Sequence, residues 1–151
     1  MRRAPLPFVD EHTILVEAPP DEVWRALSEA LDRAFSRPAA ARYASVVGCA
    51  DRTASGPRPP VEGSTFPAFR AVTATPGREL ALHGRHRFSS YAWIFRLDPA
   101  GPGHTRLRAE TRATFPGPAG GLYRLLVLGT GSHVRLSRRL LASVRHRAEH
   151  P

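Results

Sequence analysis

The sequence predicts an α+β domain: a curved antiparallel sheet of about six to seven strands wrapped around a long C-terminal helix, with one or two short helices after the first strand. Three observations predict it. Val16-Glu17-Ala18-Pro19-Pro20-Asp21-Glu22-Val23-Trp24 reads as a strand that stops on two prolines and turns at once into a helix. Two later segments alternate apolar and polar residues with the period of a half-buried strand. The chain then closes on an apolar stripe at helical spacing, with no further strand signal.

The elements follow in order. His12-Thr13-Ile14-Leu15-Val16 is β-branched and apolar, so residues 12–17 are expected as the first strand. Pro19 and Pro20 cannot continue a ladder, but Pro20 suits the first turn of a helix. Asp21 and Glu22 then occupy the positive end of the helix dipole. Val23, Trp24, Leu27 and Leu31 give residues 20–33 one apolar face, and a short helical turn is expected near 39–42. Residues 43–48, centred on Ser45-Val46-Val47, read as a strand, and 52–60 as a Pro- and Gly-rich loop. Residues 66–75 and 79–85 read as strands joined by Pro76-Gly77-Arg78.

The clearest pair follows. Residues 87–97 place Ser89, Tyr91, Trp93, Phe95 and Leu97 on one face. After the turn Asp98-Pro99-Ala100-Gly101-Pro102-Gly103, residues 105–115 alternate without error: Thr105, Leu107, Ala109, Thr111, Ala113 and Phe115 on one face, and Arg106, Arg108, Glu110, Arg112 and Thr114 on the other. Such alternation means one covered and one wet face. Residues 116–121 read as a loop, and 122–149 as the terminal helix with Leu122, Leu126, Gly129, His133, Leu136, Leu140 and Val144 on its stripe. Gly129 and Gly131 predict a bend or irregular turn within it.

Composition removes several functions. A chain of 151 residues is expected to be a single domain that buries about two-thirds of its surface. No apolar run is long enough for a transmembrane helix. Residues 1–7 open basic but are too short and proline-rich for a secretory leader, so a cytoplasmic location is expected. The single Cys49 excludes an internal disulfide. There is no Lys, Asn or Gln, and all 22 basic residues are Arg, as in a high-GC bacterial genome. Without Lys there is no phosphate-loop lysine, Schiff base or pyridoxal-phosphate anchor. Without Asn or Gln there is no side-chain amide for an oxyanion hole. The charge of +9 favours anionic partners, or is a solvated Arg surface.

The order of elements resembles that of the SRPBCC superfamily (START / Bet v 1-like, including polyketide cyclases). The resemblance rests on Ile14-Leu15-Val16-Glu17-Ala18-Pro19-Pro20-Asp21-Glu22-Val23-Trp24, on Pro76-Gly77-Arg78-Glu79-Leu80, on residues 91–98 and on 105–111. It implies the helix-grip fold, with an apolar cavity between sheet and terminal helix. Aromatic polyketide cyclases, lipid-transfer domains, and hormone and quinone binders belong to the superfamily, so the fold alone does not fix the activity.

In such a cavity Tyr91, Trp93 and Phe95 should point inward; any one ring alone reads as core, but the three together suit a flat hydrophobic molecule that stacks on them. Phe69, Leu82, Leu107, Thr111, Leu126 and His133 are the other expected lining positions. His86, His133 and Tyr91 are the candidates for moving protons or binding a carbonyl. No metal site is expected. His83 and His86 would face opposite sides of a regular strand, and His146 and His150 sit at the helix end without a third ligand. No cofactor is expected. Cys49 reads as a buried, inert thiol. Arg70 would need an acidic partner if it faced inward.

Three functions remain open. The first is binding of a small hydrophobic, aromatic or polyketide-like molecule. The second is a polyketide cyclase, aromatase or dehydratase using the same cavity. The third is an Arg-rich surface module using Arg106, Arg108 and Arg112 with Arg135, Arg138 and Arg139, for which nucleic acid lacks an aromatic stacking platform and an anionic membrane is the variant. Monomer and homodimer are both compatible with the sequence.

Overall fold

Strand β1 (Phe8–Val16) ends where Ala18-Pro19-Pro20 breaks the ladder, and helix α1 (Pro20–Phe35) starts on the second of those prolines. The computed structural model describes residues 6–151; the basic opening segment 1–5 lies outside the described residues. Helix α1 buries Val23, Trp24, Leu27 and Leu31. Strands β2 (Thr65–Phe66), β3 (Phe69–Thr75), β4 (Glu79–Arg85), β5 (Ser90–Pro99) and β6 (Thr105–Thr114) complete one six-stranded antiparallel sheet in the order β1-β6-β5-β4-β3-β2. The expected sheet wrapped on a C-terminal helix is therefore the observed architecture. Helix α4 (Ser132–Glu149) packs on α1 and β1, and buries Leu140, Leu141 and Val144 against the sheet's inner face.

The hairpin of β5 and β6 follows the alternation in its sequence. Trp93, Phe95, Leu97, Leu107 and Ala109 are buried on the inner face. On the outer face charges pair with one another. Arg96 and Arg112 both donate to Glu110, at 3.0 and 3.2 Å, and Arg108 donates to Asp98 at 2.6 Å. Burial alone would raise the Glu110 pKa, but the two guanidinium groups outweigh it and hold the carboxyl below its usual range. Arg108 and Arg112 are thus engaged within the sheet rather than presented as free cations.

Three segments differ from the sequence-based expectation. Residues 43–48 are not a strand: helix α2 (Pro38–Val46) runs through them. Pro38 stands in its first turn and Ala39-Ala40-Ala41 favour helix, so Ser45 and Val46 continue the helix, and Val47 caps it while accepting the Arg87 backbone N–H at 3.1 Å. Residues 66–75 are not continuous. Pro67 and Ala68 form a two-residue turn between β2 and β3, and a register shift between Ala71 and Thr73 changes which side chains face inward. Arg70 faces outward and donates to Asp51 at 3.0 Å. Residues 116–121 are not a loop, because helix α3 (Gly117–Arg124) begins there.

The expected irregularity of the terminal helix matters most for function. The terminal helix is interrupted where the two glycines predict irregularity. A π-helical turn (Leu125–Gly129) follows α3, and Gly131 adopts a left-handed conformation at φ 73° before α4. The Thr130 hydroxyl donates to the Leu126 carbonyl, and that of Ser132 to the Val127 carbonyl at 3.1 Å. A π turn adds a residue per turn, so the stripe extrapolated through it slips in phase.

Candidate functional site: an aromatic cavity between the sheet and the terminal helices

A cavity of about 400 Å³ lies between the inner face of the sheet, α1, α2 and the α3–α4 segment. Its lining is almost wholly apolar or aromatic. The sheet supplies Phe69, Tyr91, Trp93, Thr111 and Ala113. The early helices supply Phe35, Ala40 and Tyr43, and the terminal segment supplies Tyr123, Val127, Leu128, His133 and Leu136.

One wall is a continuous run of rings. His86 lies 5.4 Å from Tyr91 between ring centroids, Tyr91 5.2 Å from Phe69, Phe69 6.0 Å from Trp93, and Trp93 6.5 Å from His133. An imidazole therefore stands at each end of an aromatic surface. Trp93 is only 4% exposed, yet its indole N–H has no hydrogen-bond partner among the described residues. An unpaired buried donor costs about 1–3 kcal/mol.

The His86 end is set by backbone geometry. His86 follows β4 directly, and its Nδ1 accepts the Phe88 backbone N–H at 3.1 Å. The ring proton consequently resides on Nε2, which leaves one N–H donor without a partner among the described residues. Burial lowers the His86 pKa and so favours this neutral form. Tyr43, Phe88 and Tyr123 enclose the ring.

Tyr91 is anchored rather than free. Its hydroxyl donates to the Ala68 carbonyl at 2.7 Å and lies 3.6 Å from Cys49 Sγ. Burial, reinforced by the Cys49 contact, pushes the phenol far above its ordinary pKa. Tyr91 thus offers the cavity a ring face, with its proton engaged by backbone. Cys49 is buried and its thiol pKa is raised by that burial. Ala68 is the one described non-glycine residue with positive φ, at 80°. Its N–H donates to the Asp51 carbonyl at 2.8 Å while its own carbonyl takes the Tyr91 proton, and these two bonds hold the unfavourable conformation. Gly84 stands opposite Tyr91 in the β4–β5 ladder. A Cβ there would fall 2.6 Å from Tyr91 Cζ and closer still to the Ala68 carbonyl oxygen, so this approach requires glycine.

The His133 end is polar. His133 Nε2 lies 2.9 Å from the Thr111 hydroxyl and 3.3 Å from Asp10 Oδ1, and the other oxygen of Asp10 lies 3.2 Å from His12 Nε2. Asp10 as a carboxylate only accepts, so His133 carries its proton on Nε2 when paired with it, and Nδ1 is then the ring's basic nitrogen. Among the described residues no group of three or more His, Cys, Asp or Glu side chains is arranged to hold a metal ion.

Of the residues singled out from the sequence, the cavity brings together Phe69, Tyr91, Trp93, Thr111, His86 and His133. Leu82, Phe95 and Leu107 are fully buried beneath it in the core and do not line it. Leu126 is off the cavity altogether and 59% exposed; the π turn rotates Val127 and Leu128 into its place. Sequence reasoning missed Tyr43 because its segment reads as a strand, and Tyr123 because it falls off the apolar stripe of the expected terminal helix. It missed Asp10, which lies just before the expected first strand.

No family model matches the chain, and no curated protein matches it. Solved structures do. The Zhui aromatase/cyclase from Streptomyces sp. R1128 is 16% identical with TM-score 0.59, over 93% of this chain and 92% of that one. Norcoclaurine synthase from Thalictrum flavum is 10% identical with TM-score 0.59, over 97% and 96%. The Aha1 dimer from Colwellia psychrerythraea is 15% identical with TM-score 0.58, over 93% and 95%. At these identities the likeness concerns the fold. The chain has the helix-grip α+β fold, one antiparallel sheet closed on a C-terminal helix.

Proposed function

We propose that this protein binds a flat, largely apolar molecule carrying a hydrogen-bonding group at each end, of aromatic or polyketide-like character. The observation that carries the reading is the unbroken run of rings from His86 to His133 along an otherwise apolar cavity. A planar molecule would stack on Phe69 and Trp93, accept a hydrogen bond from His86 Nε2, and meet the Thr111–His133–Asp10 cluster at its other end. A volume of about 400 Å³ lies within the range of small-molecule sites. Among the described residues no helix is long and apolar enough to cross a membrane. A cytoplasmic site is part of this reading.

The test is tryptophan fluorescence. Trp24→Phe leaves Trp93 as the sole indole, since the chain has two. Titration with 2-naphthol and a panel of larger flat hydrophobic compounds should quench it saturably. No response from any of them, with the protein folded, would refute the proposal.

One observation favours a second, catalytic reading as a cyclase or dehydratase. Asp10 is placed to orient His133 and to stabilise the imidazolium formed if Nδ1 takes a proton. In that case His133 would abstract a proton from a carbon next to a carbonyl, with His86 Nε2–H polarising an oxygen at the far end. A linear poly-β-ketone turned over by the wild type, but not by His133→Ala, would support this reading. Rates unchanged from wild type in both His133→Ala and His86→Ala would remove it. The likeness to the Zhui aromatase/cyclase is compatible with this reading and does not decide it.

A further inference from the structure

The outer surface of the α3–π segment is apolar where water meets it. Leu122, Leu125 and Leu126 are 62%, 67% and 59% exposed. None of them lines the cavity, to which this segment contributes Tyr123, Val127 and Leu128. Helix α2 presents Val46 at 70% exposure beside the half-exposed Tyr43. Tyr43 and Tyr123 both pack on the His86 ring, so the two apolar surfaces flank one end of the cavity. Single exposed leucines are ordinary, but neighbouring ones on adjoining elements mark a surface that meets another phase or molecule.

The chain segments that carry this surface are charged with one sign. Residues 111–148 contain no Asp or Glu, and Arg124, Arg138 and Arg139 are exposed there. Residues 33–50, which include α2, contain Arg33, Arg37 and Arg42 and again no acid. A second copy on this face would set Arg against Arg between chains that each carry +9. Nucleic acid would satisfy the guanidinium groups but leave the leucines in water. An anionic lipid surface satisfies both, with apolar side chains at the acyl boundary and guanidinium groups among the headgroup phosphates.

We propose that the α3–π face, with Val46 of α2, docks reversibly on an anionic membrane and sets the mouth of the cavity against the lipid. Leu122, Leu125 and Leu126 insert; Arg42, Arg124 and the α4 arginines attract. Docking needs nothing inside the cavity, so vesicle binding and probe binding succeed or fail independently.

The test is flotation of the full chain with vesicles of phosphatidylcholine alone, or with about one-third phosphatidylglycerol, at about 0.05 M and about 0.5 M salt. The chain should float with the anionic vesicles at low salt, and less at high salt or without phosphatidylglycerol. The Leu122→Ser/Leu125→Ser/Leu126→Ser variant should lose about tenfold or more in partitioning, with its unfolding midpoint unchanged because all three side chains are exposed. Leu125→Asp alone should act in the same direction and serves if the triple variant unfolds. Three results would overturn the proposal: no flotation of the wild type on anionic vesicles at low salt, flotation insensitive to the leucine substitutions, or leucine-dependent dimerisation without vesicle binding, which would assign the face to a second copy.

Discussion

Replacing Gly84 by Ala should destabilise this protein severely, although a Gly-to-Ala change within a strand normally stabilises by about 0.5–1 kcal/mol. The sign reverses because of what faces the missing Cβ. That atom would stand 2.6 Å from Tyr91 Cζ and still nearer the Ala68 carbonyl oxygen, the group that accepts the Tyr91 proton at 2.7 Å. The ring has to retreat by about 1 Å to reach ordinary contact, and that movement breaks the bond. Losing the bond and leaving a half-buried carbonyl unpaired costs about 1–2 kcal/mol. Overpacking adds about 1–3 kcal/mol, giving about 2–5 kcal/mol in total. Tyr91→Phe removes the bond without the clash and should cost only the first part. Urea unfolding of the two variants beside the wild type measures both. A Gly84→Ala protein within about 0.5 kcal/mol of wild type, or more stable than Tyr91→Phe, would refute the reasoning.

Acid should loosen the His86 end of the cavity. Burial holds the folded-state pKa of His86 below its ordinary 6.5, so as pH falls through 6.5 the unfolded chain takes the proton first. The contribution is therefore complete above that value and is lost progressively below it, down to the depressed folded-state pKa. Melting temperatures followed from about pH 7.5 to about pH 5 should fall, and His86→Leu should flatten part of that decline. A slope identical in the variant would contradict this. Cys49, buried with a raised pKa, should resist a thiol-specific disulfide reagent at about pH 8 until the chain is unfolded. Rapid stoichiometric reaction of the native protein would show that the thiol is not enclosed as described.

Much of the fold was legible because it rests on local chemistry. The two prolines at 19 and 20 mark the strand-to-helix junction whatever surrounds them. The alternation in β6 survives because one face of that strand is buried along its whole length. Legibility ended where tertiary contacts decide. Nothing in Ser45-Val46-Val47 reveals that the helix begun at Pro38 continues into it, and the Ala-rich turn before it prevails. The register shift beyond Ala71 reverses facing partway along β3, which a strict period of two cannot express. Leu126 was placed on the cavity by extending the α4 stripe through residues whose helical period changes.

The site was legible in its hydrophobic part only. Tyr91 and Trp93 announce themselves by alternation with small and apolar neighbours. Their polar complements do not, because Asp10 and His133 are separated by more than one hundred residues of chain and meet only when β1 pairs with β6 and α4 crosses them. The role of Tyr91 was likewise hidden. A phenol beside a cavity suggests acid–base chemistry until the positive φ of Ala68 shows where its carbonyl points.

The most direct measurement is a crystal structure of the protein soaked with 2-naphthol. The account predicts electron density for the probe between the sheet and the terminal helices, its ring against Trp93 and Phe69 and its hydroxyl at one of the two imidazoles. An interior packed solid by its own side chains, or a probe found solely on the outer surface, would contradict it.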